Sequence, residues 1–315
     1  MTIKKTKILV TGGTGFIGSH LVEALVLQGA KVVVVDIVCK KSSYFVRQKL
    51  QKKVTLKLVD ISQKEKINKL FQSFKPEYVF HLAAEAIVNN SYNDPFKTFQ
   101  TNIMGTVSIL EAAKATKSIK GVIVASSDKA YGKTTKAYTE ESPLHGDHPY
   151  DVSKSCTDLI AQTYYKTYKL PVVVTRFGNV YGEGDLNMNR IIPEICEAVV
   201  KNKTIHLRSN GKYVRDYIYV KDVVAGYLTL LKKISHIKGE AFNFSSNDTL
   251  SVVELIKLSE KILKKPIKYK IINNAKNEIP YQHLNDAKVR KLGWRRVNNL
   301  KTTLAGIVHW YDRIL

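Results

Sequence analysis

The chain has 315 residues, 44% of them hydrophobic, and a formal net charge of +23, which is enough length for one large domain or two intimate ones and too apolar for a disordered polymer. Its lysines outnumber its arginines and are scattered along the whole length, so the charge reads as a solvated surface that helps attract a phosphorylated substrate; neither nucleic-acid nor membrane binding is expected. No apolar run approaches the ~20 residues of a bilayer span, no signal-peptide core is visible, and Cys39, Cys156 and Cys196 are odd in number and widely spaced, which suits reduced thiols in a cytoplasm and predicts no metal site.

From the N-terminus, apolar strand-like runs at Lys7–Thr11, Lys31–Asp36, Val54–Leu58, Tyr78–His81, Val122–Ala125 and Val172–Arg176 alternate with helix-like stretches at Phe16–Gln28, Gln63–Phe74, Pro95–Ala115 and Tyr150–Tyr168. That alternation belongs to a parallel sheet covered on both faces. It predicts an α/β fold, a doubly wound parallel sheet of the Rossmann type. After Arg176 the periodicity loosens into Gly178-Asn179-Val-Tyr181-Gly182-Glu-Gly184-Asp-Leu-Asn-Met-Asn189-Arg190, a glycine- and asparagine-rich loop, followed by a helix at Ile191–Lys201. Asp216–Leu231 reads as a helix, Ala241–Phe244 as a strand returning to the large sheet, and Ser251–Leu315 as amphipathic helices. The expected division is a dinucleotide-binding domain of residues 1–178 plus about 213–249 and a smaller C-terminal substrate-binding domain of 179–212 plus about 250–315.

Thr11-Gly12-Gly13-Thr14-Gly15-Phe16-Ile17-Gly18 joins the first strand to the first helix. Gly12, Gly15 and Gly18 allow a tight turn and the close approach of a pyrophosphate, which amides at the helix start, from Phe16 and Ile17, then stabilise. Asp36 closes the second strand 18 positions after Gly18, where a carboxylate binds both hydroxyls of an adenosine ribose and repels a 2′-phosphate. NAD is therefore favoured over NADP, with Lys40 and Lys41 leaving some tolerance for the latter. Asp60 and Ile61, after the third strand, either flank the adenine or cap a loop.

Gly121-Val-Ile-Val-Ala-Ser126-Ser127-Asp128-Lys129-Ala-Tyr131-Gly132 is an apolar strand ending in polar residues, and ligands of open α/β sheets sit at such edges. Tyr150 and Lys154 follow, one helical turn apart on one face. Lys154 and a nicotinamide cation would lower the phenol from its ordinary value of ~10 toward neutrality and make Tyr150 a usable base. Asp128 and Lys129 add an acid and a second candidate base, which suggests elimination joined to redox chemistry; the alternative is a structural ion pair.

Those motifs, with His81-Leu-Ala-Ala84, Arg176-Phe-Gly-Asn179-Val-Tyr-Gly182 and Arg215-Asp-Tyr-Ile-Tyr-Val220-Lys-Asp222, span nearly the whole chain. Together they resemble the extended short-chain dehydrogenase/reductases, in the nucleotide-sugar epimerase and dehydratase branch. Ser127-Asp128-Lys129 and the tail segment Asn277-Glu278-Ile279-Pro280-Tyr-Gln282-His-Leu-Asn285-Asp286 are similar to the CDP-glucose 4,6-dehydratases of that branch.

The resemblance implies an enzyme with tightly bound NAD, Ala83 and Ala84 lining the cofactor, and a nucleotide-diphosphate sugar as substrate. Tyr150 would take the proton of the sugar 4-hydroxyl, Ser127 would bond the developing ketone, Asp128 would protonate the departing C6 hydroxyl, and Lys129 would be the base at C5 or orient substrate. Burial near the positive charges of Lys154 and the nicotinamide would free Lys129 of its proton, but so strong a field would also keep Asp128 ionised. Arg190 and Arg215 suit the diphosphate because guanidinium binds phosphate through a planar fork, and Asn179 would assist. Relatives commonly form homodimers through the helices at Pro95–Ala115 and Tyr150–Tyr168. Glu278 departs from the arginine-rich segment of many relatives and leaves CDP, UDP, GDP and dTDP hexoses open. Competing expectations are a 4-epimerase or 5,6-dehydratase of the same family and, more remotely, a non-catalytic basic binding or regulatory protein.

Overall fold

A computed structural model describes residues 2–246, 248–274 and 278–315 of the chain. Its strands are β1 (Lys7–Thr11), β2 (Lys31–Asp36), β3 (Thr55–Leu58), β4 (Tyr78–His81), β5 (Gly121–Ala125), β6 (Val172–Phe177), β7 (Asn179–Tyr181), β8 (Ile205–Leu207), β9 (Val214–Tyr219), β10 (Ala241–Phe244), β11 (Thr249–Ser251) and β12 (Tyr269–Ile271). The α-helices are α1 (Phe16–Leu27), α2 (Tyr44–Arg47), α3 (Lys64–Phe74), α4 (Val88–Asn93), α5 (Pro95–Phe99), α6 (Gly105–Lys114), α7 (Pro149–Tyr168), α8 (Ile191–Lys201), α9 (Val220–Lys233), α10 (Val252–Leu263), α11 (Ala287–Lys291) and α12 (Leu300–Asp312).

Seven strands form one sheet in the order β10-β6-β5-β4-β1-β2-β3, every pair parallel. The central strands are buried along almost their whole length because helices cover both faces, which is why they read as unbroken apolar runs. Strand order reverses beside β1, with β2 on one side and β4 on the other. The loops after β1 and β4 therefore diverge and open a crevice at their carboxyl ends.

Two smaller sheets, β11-β9-β7 and β12-β8, complete the structure with α8, α10, α11 and α12. One hydrophobic core runs from Ile8 and Val34 under the large sheet to Leu304, Trp310 and Tyr311, so the smaller elements are packed on the large sheet rather than tethered to it.

Two sequence expectations are corrected. Pro95–Ala115 is not one regular helix: a π-helical turn at Gln100–Met104 separates α5 from α6. Asn102 explains it, since its amide turns inward to bond Glu85 N at 2.7 Å, Glu85 O at 3.1 Å and Ser153 Oγ at 2.9 Å; one such widened turn often marks a functional segment. Asp216–Leu231 is not helical at its start. Residues 216–219 belong to β9, parallel to β7 and antiparallel to β11, and the helix begins only at Val220.

Candidate active site

The turn after β1 is compressed to the point where only glycine fits. Gly12 has φ +70°, and a Cβ there would lie 2.7 Å from Ala83 N; a Cβ on Gly18 would lie 2.1 Å from Gly12 O. This packing draws the start of α1 onto the loop, and α1 opens at Gly15 without a side-chain cap. The amides of Phe16 and Ile17 are thus left to an anion. Asp36 braces the turn, accepting at Oδ2 from Thr14 N (3.0 Å) and Thr14 Oγ1 (2.7 Å) and at Oδ1 from Ile37 N (2.8 Å). A carboxylate has about four acceptor sites, so lone pairs remain for ribose hydroxyls. Ala83 N donates to Thr11 Oγ1 at 3.2 Å, and Ala83 and Ala84 are half-buried along the crevice.

Asp60 and Ile61 fit their cofactor roles less well. Asp60 Oδ1 accepts from Ser62 N and Ser62 Oγ, both at 2.8 Å, the loop-capping arrangement. Ile61 is 2% exposed and its side chain packs into the core against Gly105, which leaves only its main chain for a ligand. The glycine cradle, the uncapped helix start and the carboxylate of Asp36 nevertheless fit an NAD molecule.

At the end of β5, Ser127 starts a short 3₁₀ turn, Asp128–Tyr131, and its Oγ accepts from Lys129 N at 3.2 Å. The same hydroxyl donates to Asp128 Oδ1 at 2.9 Å and bonds the Tyr150 phenol. Asp128 is 4% exposed, and burial holds its carboxyl above the usual range despite the opposing pull of Lys129, Ser127 and Arg215. The positive field expected to keep Asp128 ionised therefore loses to desolvation. Nor is there a direct Asp128–Lys129 ion pair among the described residues: Asp128 Oδ2 instead accepts from Gln282 Nε2 at 2.9 Å, and the half-buried Lys129 lies near both Asp128 and Asp151.

Tyr150 and Lys154 share α7 as expected, and in the protein alone burial shifts both. Lys154 donates from Nζ to Ala125 O at 2.9 Å, and burial lowers its ammonium to about 8. Tyr150 is pushed up to about 12, by burial first and then by the charges of Asp128 and Asp151, against Arg190 and the Ser127 bond. Burial thus outweighs the positive charge of Arg190 and holds Tyr150 as a neutral donor in the protein alone.

The candidate phosphate ligands surround this centre. Arg215 lies close enough to act on Asp128 and Arg190 close enough to act on Tyr150. Each is already partnered: Arg190 Nη1 with Asp185 Oδ2 at 3.2 Å, and Arg215 Nη2 with Glu278 Oε2 at 3.5 Å. Asn179 is half-buried in β7, in register with Tyr217, two residues beyond Arg215. Of the tail motif, Asn277 lies outside the described residues.

Several groups at the site were given no individual role by the sequence. Gln282 reaches Asp128 across 154 positions, and Thr14 holds Asp36 through a hydroxyl inside the glycine turn. Asp151, 5% exposed, is raised to about 6, chiefly by burial and with help from Asp128.

Residues 8–244 match the family described as the NAD dependent epimerase/dehydratase family. The chain belongs to that family. It is 32% identical to the CDP-glucose 4,6-dehydratase of Salmonella typhimurium, over 97% of this chain and 90% of the relative. It is also 32% identical to the dTDP-glucose 4,6-dehydratase of Haemophilus influenzae, over 96% and 97%. Among solved structures it resembles a dTDP-glucose 4,6-dehydratase of Streptomyces venezuelae with NAD bound (TM-score 0.89, 27% identity, 97% of each chain). A UDP-glucose 4-epimerase of Thermotoga maritima with UDP-glucose is as similar (TM-score 0.88, 32% identity, 97% and 98% covered). A dehydratase and an epimerase thus share this fold, so the fold alone does not tell the two activities apart. Among the described residues no helix is long and apolar enough to cross a membrane.

Proposed function

We propose that the protein is an NAD-dependent nucleotide-sugar 4,6-dehydratase, a hydro-lyase that converts an NDP-hexose to an NDP-4-keto-6-deoxyhexose and water. The observation that carries this reading is Asp128: a buried carboxyl that desolvation holds above the usual carboxylate range, beside Ser127 and without an ion pair to Lys129. An epimerase needs no acid there. A dehydratase needs one group that delivers a proton to a departing hydroxyl, and desolvation is how a carboxyl is kept ready for that.

Bound NAD supplies reversible oxidation, first at the sugar C4 and finally in reverse at C6. Tyr150 accepts the 4-hydroxyl proton, and Ser127, between Tyr150 and Asp128, donates to the developing ketone oxygen. The ketone acidifies the C5 proton, which Lys129 removes, or helps to remove with Asp151 nearby. Asp128 protonates the C6 oxygen and water leaves. Arg190, Arg215 and Asn179 hold the nucleotide diphosphate.

Functionally, residues 1–178 plus about 213–249 hold NAD, and 179–212 plus about 250–315 hold the nucleotide sugar. The exposed Phe96, Met104, Leu159 and Tyr168 support a homodimer through α5, α6 and α7, and three free thiols suit the cytoplasm. The test is isotopic. A substrate deuterated at C4 should give a product carrying that deuterium at C6; its return to C4 in an epimer would sink the proposal.

A further inference from the structure

Residues 280–285 form a strap laced on both sides. On one side Val214 N donates to Pro280 O (3.0 Å) and Gln282 N to Val214 O (3.1 Å); on the other, Tyr138 N donates to His283 O and Asn285 N to Tyr138 O, both at 2.8 Å. Asp216 locks the same strap by accepting from Leu284 N at 2.9 Å and pairing with His283 Nδ1 at 2.7 Å. The lacing fixes Gln282, 1% exposed, against Asp128, with Nε2 donating to Oδ2 at 2.9 Å. Its other end is wasted in structural terms: Oε1 is buried with no partner among the described residues. An unsatisfied buried acceptor is costly, and an apolar side chain of the same shape would avoid that cost.

We propose that Gln282 is a positioning residue for Asp128 that bonds the carboxyl in both protonation states, Nε2 donating to the ionised form and Oε1 accepting the proton of the neutral form. A half-turn about the last side-chain bond exchanges the two ends of an amide. Either orientation makes one bond to Asp128 and leaves one end unbonded, so the bond count favours neither state. A lysine at this place would favour the carboxylate and a glutamate the acid. In the elimination Asp128 gives its proton to the departing C6 oxygen and is left ionised. That state is matched by the orientation seen here, with Nε2 donating to Oδ2; the amide turns when the carboxyl takes up its next proton. This inference rests on Asp128 being the acid of the proposed dehydratase.

Two variants of the full-length holoenzyme test it. Gln282→Met removes both bonds at nearly constant length. Its kcat for dehydration should fall about tenfold or more with KM within about twofold of wild type, while the unfolding temperature stays equal or rises. Gln282→Glu adds a neighbouring carboxyl, and the pH above which dehydration fails should move up by about one unit or more. Infrared difference spectra against Asp128→Asn, taken without substrate, should show the Asp128 carboxylic-acid band displaced in Gln282→Met. Wild-type turnover in Gln282→Met, a loss that only follows a lower unfolding temperature, or an unmoved infrared band would each overturn the proposal. A displaced band in a protein that dehydrates no nucleotide-hexose would instead remove the functional reading and leave the amide–carboxyl pair standing.

Discussion

Lys154 Nζ lies 2.9 Å from Ala125 O, so a buried ammonium ties α7 to the carboxyl end of β5, two residues before Ser127. That ammonium sits in a place where burial disfavours charge, lowering it from 10.5 to about 8. The sign follows directly. Below about pH 8 Lys154 is charged whether folded or unfolded, and its burial destabilises the fold. As pH rises from about 8 to 10.5 the folded protein loses the proton first, and the penalty fades. Lys154→Met should therefore abolish turnover yet be more stable than wild type near neutrality. The stability gap should narrow by about 3 kcal/mol across that pH window, read from urea unfolding at each pH. A gap that does not change with pH would mean that Lys154 is not desolvated.

Tyr150 stands at about 12 in the protein alone, too high for a base at neutral pH. The account requires NAD to change this, because a nicotinamide cation beside the phenol favours the phenolate. Ultraviolet titration of tyrosinate, wild type minus Tyr150→Phe, should show one phenol whose midpoint falls by two units or more, on the order of 3 kcal/mol, when NAD is added. A midpoint that NAD leaves in place would exclude Tyr150 as the base.

Asp128→Asn keeps the shape of the side chain and its place beside Ser127 and Gln282. It should lower dehydration by about 10²–10⁴-fold, the usual worth of a positioned acid, while oxidation at C4 continues. Reduced nicotinamide should then build up in stopped-flow absorbance after substrate is mixed in. An epimerase would survive the substitution with little change.

The large sheet was legible because strands buried on both faces carry apolar runs, as Ile8–Val10 in β1, Val32–Val35 in β2, Tyr78–Phe80 in β4, Val122–Ala125 in β5 and Val172–Val174 in β6 do. The glycine turn was legible because its spacing is forced by close approach, as the contacts of Gly12 and Gly18 show. Local periodicity could not reveal Asn102 turning a helix into a π turn, since its partners Glu85 and Ser153 come from elsewhere in the chain. The side-chain direction of Ile61 was illegible for a related reason: an apolar residue after a strand reads the same whether its side chain faces a ligand or, as here, the core beside Gly105. The sequence singled out Asp128, Tyr150 and Lys154 as candidate proton-handling residues but did not reveal their ionisation. Burial decides it, raising Asp128 against Lys129 and Arg215 and raising Tyr150 against Arg190.

Arg215 faces a competitor before substrate arrives. Glu278 Oε2 is 3.5 Å from its Nη2, and a diphosphate must share or displace that carboxylate. Glu278→Gln should tighten nucleoside diphosphate binding about threefold at low salt, with the gain shrinking as salt screens it. Arg215→Ala should weaken the same binding by about 10–100-fold. Isothermal titration at two salt concentrations checks both, and equal affinities for all three proteins would remove Arg215 from the phosphate site.

The most direct test of the dehydratase itself is mass spectrometry of the NAD-loaded protein with CDP-, UDP-, GDP- and dTDP-hexoses in H₂O and in D₂O. A product lighter than its substrate by one water, carrying one solvent deuterium that fragmentation places at C5, is the predicted result and names the nucleotide. A product of unchanged mass, an isomer of the substrate, would contradict the account and leave Asp128 without its role as an acid.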